Sequence, residues 1–208
     1  MGSVYVEIGR ARSMPGLRLV LTRGVPGPWG EAAKGIFHAK GMPFTRVAQS
    51  AGADNDALYE WTGHRNAPVA IYDDEPARTA WGELLWLAER ISPEPSLVPA
   101  DPEDRVRCFG LAEELMGVGG FGWSRRLMLL RPGMGDSDTP SEAMRATLGR
   151  MARQYGYSRA AADAAPGKVV QTLNVLSRQL AAQRARSGNA GRAHRPRERA
   201  RSQTSVRP

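Results

Sequence analysis

Side chains suited to redox, metal or nucleophilic chemistry are few in this sequence. The single cysteine, Cys108, excludes an intramolecular disulfide and the usual cysteine-based zinc clusters. It falls on the apolar stripe of a predicted helix, so we interpret it as a buried, inert thiol. The three histidines, His38, His64 and His194, lie far apart along the chain. We therefore predict no metal site and interpret the histidines as structural or solvated side chains.

The net charge of +8 is concentrated at one end of the chain. Residues 184–208 carry eight arginines against one glutamate, or +7, which leaves 21 basic and 20 acidic side chains, or +1, for residues 1–183. We therefore expect nucleic acid or anionic lipid to bind the tail at most weakly and nonspecifically. No apolar run approaches the length of a membrane span, and the N-terminus lacks a signal-peptide pattern. These features predict a cytoplasmic, soluble protein with no membrane partner.

Aromatic and basic residues occur together at one place, where Phe121 and Trp123 precede Arg125 and Arg126. Aromatic rings beside arginines can form a nucleic-acid-binding surface. Because the globular part is nearly neutral, we favour a packed tryptophan beside solvated arginines. Phe121 and Trp123 are also candidates for the hydrophobic wall of a small-molecule cleft.

Strand and helix signals alternate in the first half of the sequence. Residues 1–16 show no sustained periodicity and are predicted to be a flexible leader. Strands are predicted at Leu17–Leu21, Phe44–Ala48 and Ala67–Tyr72, and helical segments at Pro28–Lys40, Leu58–Trp61 and Pro76–Ile91. This order predicts an α/β domain over residues 17–91.

A proline-rich segment separates this domain from a region with only helical periodicity. Residues 92–102 contain four prolines and are predicted to be an interdomain linker. Asp101 is a predicted helix cap, and Thr139-Pro140-Ser141-Glu142 resembles a capping box. We predict an all-α domain over residues 103–186, which looks incomplete, and a disordered Arg-rich tail over residues 187–208.

This plan resembles that of the soluble glutathione transferases, which have a thioredoxin-like domain, a Pro-rich linker and an all-helical domain. Four segments carry the resemblance: the strand, turn and helix of residues 17–44, which include Pro26-Gly27-Pro28-Trp29; Asn66-Ala67-Pro68-Val69, similar to the family's cis-proline turn; Leu84–Arg90, similar to the end of its third helix; and the linker. The resemblance implies an α/β thioredoxin-like N-terminal domain followed by an all-α domain, and a possible homodimer.

The resemblance also implies where glutathione, as co-substrate, would bind. Family members present the backbone of the residue before the cis-proline to the cysteinyl part of glutathione, which here is Ala67, held by Pro68. The thiol lies at the N-terminus of the first helix, here the turn that contains Pro28 and Trp29, where helix N–H groups favour a thiolate.

Two departures from the family pattern affect this site. The family usually has a Tyr, Ser or Cys after the first strand, where this sequence offers only Thr22 or Arg23 as weak catalytic candidates. The family also places Glu-Ser at the start of its third helix to hold the γ-glutamyl end, and the corresponding residues here are Thr79 and Ala80. Thr79 keeps a hydroxyl, and Arg78 or Glu75 could supply charge.

Function is therefore predicted as a choice between two hypotheses. The first is a glutathione transferase-like protein that binds glutathione and conjugates or reduces a small hydrophobic electrophile. The alternative is a noncatalytic scaffold that keeps the fold and binds a protein partner.

Overall fold

The computed structural model describes residues 4–24, 26–134 and 141–193. The described residues up to Thr172 form one compact unit, and those from Leu173 onwards form a second. Their helices and strands are α1 (Ile8–Ala11), β1 (Leu17–Thr22), α2 (Pro28–Ala39), β2 (Thr45–Gln49), α3 (Asp56–Thr62), β3 (Val69–Tyr72), α4 (Trp81–Ile91), α5 (Pro102–Met116), α6 (Phe121–Leu130), α7 (Glu142–Gln154) and α8 (Arg159–Ala193).

In the described residues the sheet has three strands in the order β2-β1-β3. The β1–β2 pair is parallel, because α2 returns the chain to the same end, and the β1–β3 pair is antiparallel. Val20 lies opposite Val47 on one side and Val69 on the other. Side chains alternate between two buried clusters, one on each face of the sheet. The α/β thioredoxin-like domain predicted from the sequence is confirmed.

The segment before α4 is extended, not helical as predicted from Pro76. The N–H of Arg78 donates to the carbonyl of Ala70 at 2.9 Å, and the N–H of Ala70 donates to the carbonyl of Arg78 at 2.8 Å. This antiparallel bridge extends the sheet by one residue pair beside β3, and α4 begins only at Trp81. The apolar stripe that predicts the helix also begins at Trp81. Pro76 therefore belongs to the extended segment before the helix and does not mark the helix start.

Residues 4–16 are docked on the sheet, so the prediction of a flexible leader was wrong for them. The N–H of Val6 donates to the carbonyl of Arg46 at 2.8 Å, and the N–H of Ala48 donates to the carbonyl of Val6 at 3.2 Å. Ala11, in α1, is fully buried, and Val6 and Ile8 pack against the same cluster. A four-residue helix and a single bridge are too short to produce a periodic signal.

A charged residue lies in the middle of this buried sheet. Arg18 of β1 is 3% exposed. Its guanidinium donates to the carbonyls of Met14 and Asp73, and its Cζ lies 5.6 Å from the centroid of the Trp61 ring. The buried charge is therefore solvated by backbone carbonyls and an aromatic face. It also joins the leader to the turn after β3.

The second half of the unit is helical, as predicted. The Oδ1 atom of Asp101 accepts the N–H of Asp104 at 2.9 Å, so the predicted cap of α5 is confirmed. In α7 the cap is Ser141, whose Oγ accepts the N–H of Met144 at 3.3 Å. Thr139 and Pro140, the predicted start of this helix, lie outside the described residues.

Lys40, at the C-terminal end of α2, joins the first domain to the linker. Its Nζ donates to the carbonyls of Pro93 at 3.0 Å and Pro95 at 2.7 Å, and it pairs with Glu89 of α4 at 2.9 Å. The Lys40 side chain is fully buried, and that of Glu89 is 13% exposed. The linker has no helix or strand at 92–101, and the buried ammonium of Lys40 is one of the groups that attach it to the first domain.

Helix α8 runs from Arg159 to Ala193, and the disordered Arg-rich tail over residues 187–208 stays a prediction. Residues 194–208, the rest of the predicted tail, lie outside the described residues. Within the described part of the chain, no helix has the length and apolar character needed to cross a membrane.

Candidate glutathione site

Two adjoining cavities lie between the thioredoxin-like domain and the helices that follow it. The first, called the Pro68 cavity, has a volume of about 460 Å³ and includes Pro68, Thr79, Trp81 and Glu113 in its walls. The second, called the Arg126 cavity, has a volume of about 370 Å³ and includes Thr22, Gln49 and Arg126. The residues that line both are Trp29, Asn66, Ala67, Gln154 and Tyr155.

Ala67 lines both cavities. It lies just before β3, outside the ladder, and the Ala67–Pro68 peptide bond is cis. Among the described residues, neither its N–H nor its C=O has a hydrogen-bond partner. A half-buried backbone with both groups open can pair with an extended peptide, as an added strand pairs with a sheet edge.

The start of α4 is capped by its own acidic residue. Thr79 and Ala80 donate their backbone N–H groups to Oε2 of Glu83, each at 3.0 Å. These hydrogen bonds, with that of Ala80 the stronger influence, hold the pKa of the Glu83 carboxyl below its usual range. Ala80 offers no side-chain cap, so the N–H groups of the first turn of α4 have no side-chain acceptor. Thr79, Ala80 and Trp81, at this end of α4, line the Pro68 cavity.

Replacing Glu83 with alanine is expected to lower the free energy of unfolding by about 1 kcal/mol at pH 7. A depressed pKa in the folded state contributes stability above the unfolded pKa, and this contribution is lost as pH falls through the folded pKa. The difference between variant and wild type should therefore shrink between pH 7 and pH 3, as measured by thermal melts. Glu60→Ala, at an exposed position of α3, is the control and should show no such pH-dependent difference. A constant difference would contradict the capping role.

A carboxylate that the sequence analysis did not identify faces the Pro68 cavity. Glu113 of α5 lies in its wall, and its Oε2 accepts the indole N–H of Trp81 at 2.8 Å. The indole fixes the carboxylate beside the start of α4. No local sequence motif marks Glu113, and its partner Trp81 lies 32 residues earlier in the chain. Only the packing of α5 against α4 brings the two together.

The two weak catalytic candidates have other partners. The hydroxyl of Thr22 donates to Oε1 of Gln49 at 2.8 Å, although Thr22 does line the Arg126 cavity. Arg23 pairs with Glu7 at 2.5 Å and lines neither cavity. Among the described residues of the first strand and its turn, neither candidate side chain is therefore free to donate a hydrogen bond to a thiolate.

The other predicted site residues divide into two groups. Trp29, Ala67, Pro68, Thr79 and Trp123 all line the Pro68 cavity. Pro28, Arg78 and Phe121 line neither cavity. Arg78 instead pairs with Glu75 at 2.7 Å, and the pKa of that carboxyl is lowered by Arg90 and then by Arg78. The negative charge of Glu75 is therefore balanced by Arg78 and Arg90, and neither Glu75 nor these arginines line the two cavities.

An aromatic cluster forms the wall between the cavities. The Trp29 ring stacks on Tyr155 with centroids 5.7 Å apart, and Trp123 meets Tyr155 edge-on at 4.9 Å. Burial raises the pKa of the Tyr155 hydroxyl, and the positive charge of Arg126 partly opposes this rise. Tyr155 was not predicted from the sequence, because it follows α7 and is placed by contacts across more than 120 positions of sequence.

Comparison with known proteins identifies the fold. No protein-family model and no curated protein sequence matched the chain. Among solved structures, Ure2p in complex with glutathione matches at a TM-score of 0.54 and 13% identity over 88% of this chain and 74% of Ure2p. A glutathione S-transferase from Methylobacterium radiotolerans matches at 0.49 and 18%, over 85% and 87% of the chains.

A Tau class glutathione S-transferase from mango, Mangifera indica, matches at a TM-score of 0.45 and 20% identity. That match covers 67% of this chain and 59% of the mango enzyme, so the chain spans little more than half of its length. The similarity to Ure2p agrees with the element order, the sheet and the helical second half described above. This chain therefore has the glutathione transferase fold.

Proposed function

We propose that the chain binds glutathione in the Pro68 cavity. The observation that carries the proposal is the unpaired backbone of Ala67, which can form two hydrogen bonds with the cysteinyl backbone of glutathione. Ure2p, which shares the fold, was solved with glutathione bound, and this supports the proposal. A tripeptide fits the range of cavity volumes that bind small ligands.

The γ-glutamyl end of glutathione lies at the start of α4 in this proposal. The N–H groups of the first turn of α4, which lack a side-chain acceptor, receive the α-carboxylate of the ligand. The carboxylate of Glu113 pairs with the ammonium group of the ligand. Glu113 thus takes the part for which the sequence suggested Glu75 or Arg78. Because Glu83 occupies the N–H groups of Thr79 and Ala80, the ligand carboxylate binds further into the helix.

A titration of the purified protein with glutathione tests the proposal. Isothermal titration calorimetry should give one saturable site, and millimolar glutathione should raise the melting temperature. Glu113→Gln keeps an acceptor for the Trp81 indole but removes the charge that pairs with the ammonium, so glutathione should bind about tenfold more weakly. Glu114→Gln changes the neighbouring carboxylate, which approaches Lys168 instead, and should leave the affinity unchanged. A cooperative melt with no response to glutathione would refute the proposal.

Conjugation of a small electrophile is the reaction that such a site would support. The thiol would lie near the start of α2, where Gly27 and Gly30 line the Arg126 cavity and no side chain caps the helix. Helix N–H groups favour the thiolate, whose sulfur attacks the electrophilic carbon; with an aryl halide a C–S bond forms, the carbon–halogen bond breaks and the halide ion leaves. The assay is the glutathione-dependent loss of a soft aryl halide.

A noncatalytic scaffold is the second candidate, and a specific observation favours it. Thr22 donates to Gln49 and Arg23 pairs with Glu7, so neither assists a thiol. Glutathione binding without conjugation of any electrophile, or no binding by a cooperatively folded chain, would support the scaffold.

A further inference from the structure

The Arg126 cavity contains a cation held in place by aromatic rings. The Cζ atom of Arg126 lies 5.4 Å from the centroid of Tyr155 and 5.9 Å from that of Trp29. Both rings line the same cavity. Cation–π contacts orient a guanidinium without neutralising its charge. The Tyr155 hydroxyl lies within hydrogen-bonding reach of this guanidinium, whose remaining N–H groups are available for a further acceptor.

The charges around this cavity are not balanced. Among the described residues, Arg126 makes no ion pair. The acidic side chain on the cavity wall, Glu31, pairs with Lys34 of the same helix at 2.6 Å. Taken together, Glu31, Lys34 and Arg126 leave one positive charge in excess. A half-buried guanidinium in a cavity gains most from a carboxylate, which can accept two parallel hydrogen bonds.

The remaining walls determine the shape of the ligand. Trp29 and Tyr155 supply flat apolar surfaces, while Thr22, Gln49, Asn66 and Gln154 supply polar groups. A volume of about 370 Å³ suits a molecule with one aromatic ring. A flat ring can pack on the same aromatic cluster that orients Arg126.

We propose that the Arg126 cavity binds a planar aromatic carboxylic acid, whose carboxylate pairs with Arg126. This extends the proposed function, because it gives the ligand beside glutathione a negative charge, whereas the sequence predicted a hydrophobic electrophile. Glutathione has a glycine carboxylate of the same chemistry, so the experiment must separate these two sources.

The test compares trans-cinnamate with the uncharged cinnamamide by isothermal titration calorimetry of the full chain. Cinnamate should bind at least about tenfold more tightly than the amide, as expected for a charge-assisted pair. Arg126→Met should reduce this preference to less than about twofold. Arg125→Met, which changes an exposed arginine at the next position of α6, should retain it. A preference that is absent in the wild type, or that survives in Arg126→Met, overturns the proposal.

Two further measurements keep the outcome interpretable. If Arg126→Met fails to melt cooperatively, Arg126→Lys is used; it keeps the charge but loses the planar fork, so the preference should fall but not vanish. Retention of the full preference in this variant would overturn the bidentate pair.

Glutathione and its glycine monoethyl ester are then titrated in the presence of cinnamate. Both should leave cinnamate bound, whereas displacement by glutathione alone would assign the cation to the glycine carboxylate and overturn the proposal. A cinnamate preference without glutathione binding would refute only the proposed function, and glutathione binding without that preference would refute only this inference.

Discussion

Replacing Lys40 with methionine is expected to lower the free energy of unfolding by about 3–5 kcal/mol, the usual cost of removing one partner from a buried ion pair. The substitution keeps the aliphatic stem but leaves the Pro93 and Pro95 carbonyls without their donor. It also leaves the Glu89 carboxylate, which is 13% exposed, without its counter-ion. Chemical denaturation monitored by circular dichroism measures the loss.

A matched control for this substitution lies on the same helix. Lys34 pairs with Glu31 at 2.6 Å, but the two side chains are 33% and 51% exposed. Lys34→Met should therefore cost less than about 1 kcal/mol. Equal effects at the two positions would mean that the linker does not depend on Lys40. The double variant Lys40→Met, Glu89→Leu should recover part of the loss, because no buried charge then remains unpaired.

The same variant should change the response to acid. Burial opposes ionisation of Glu89, but the N–H of Leu97, the ammonium of Lys40 and the hydroxyl of Ser96 outweigh it and hold the pKa below its usual range. The stability that Glu89 contributes is present above the unfolded pKa and is lost as pH falls through the folded pKa. In Lys40→Met the folded-state pKa of this carboxyl rises towards or above its unfolded value, so acid should remove less stability from the variant than from the wild type, and the difference between the two should shrink as pH falls.

Local signals in the sequence predicted most of the first domain. Short aliphatic runs predicted β1 and β3, and Gly27 with Pro28 marked the start of α2. Asp101 predicted the start of α5 correctly, because a cap acts within one turn of its helix. These features depend on neighbours within a few residues, which is the distance over which a single sequence is informative.

Features set by contacts between distant segments could not be predicted in this way. The pattern of α2 places Lys40 on the inner face of the helix, but it does not reveal the two carbonyl partners, which lie 53 and 55 residues away. Glu113 reads as part of the exposed face of α5, yet it meets Trp81 at the proposed ligand site. In both cases one tertiary contact converts an ordinary charged residue into a structural or binding group.

Trp29 is the residue whose role differs most from its prediction. The sequence suggested a contact with glutathione, and Trp29 does line both cavities. Its indole N–H, however, donates to the carbonyl of Met116 at 2.8 Å. Met116 ends α5, where carbonyls have no partner within the helix. Trp29, which belongs to α2 of the first domain, therefore caps the C-terminal end of α5 in the second domain.

Replacing Trp29 with alanine is expected to lower the free energy of unfolding by about 3–5 kcal/mol and to abolish glutathione binding. The substitution removes the ring that packs on Trp123 and Tyr155, so both cavities lose a common wall. Trp29→Phe keeps a ring but leaves the Met116 carbonyl unpaired, which should cost about 1–3 kcal/mol. Because the wall is retained, glutathione should still bind to this variant.

Trp86→Ala separates this role from the general loss of a tryptophan. Trp86 is 53% exposed on α4, packs on Phe109 with centroids 5.9 Å apart, and lines neither cavity. Its removal should cost less than Trp29→Ala and leave the affinity for glutathione unchanged in calorimetry. If Trp29→Ala melts like Trp86→Ala and still binds glutathione, the indole neither caps α5 nor forms the wall of the site. If Trp29→Phe folds but loses glutathione, the indole N–H itself positions the ligand, through the end of α5 that carries Glu113.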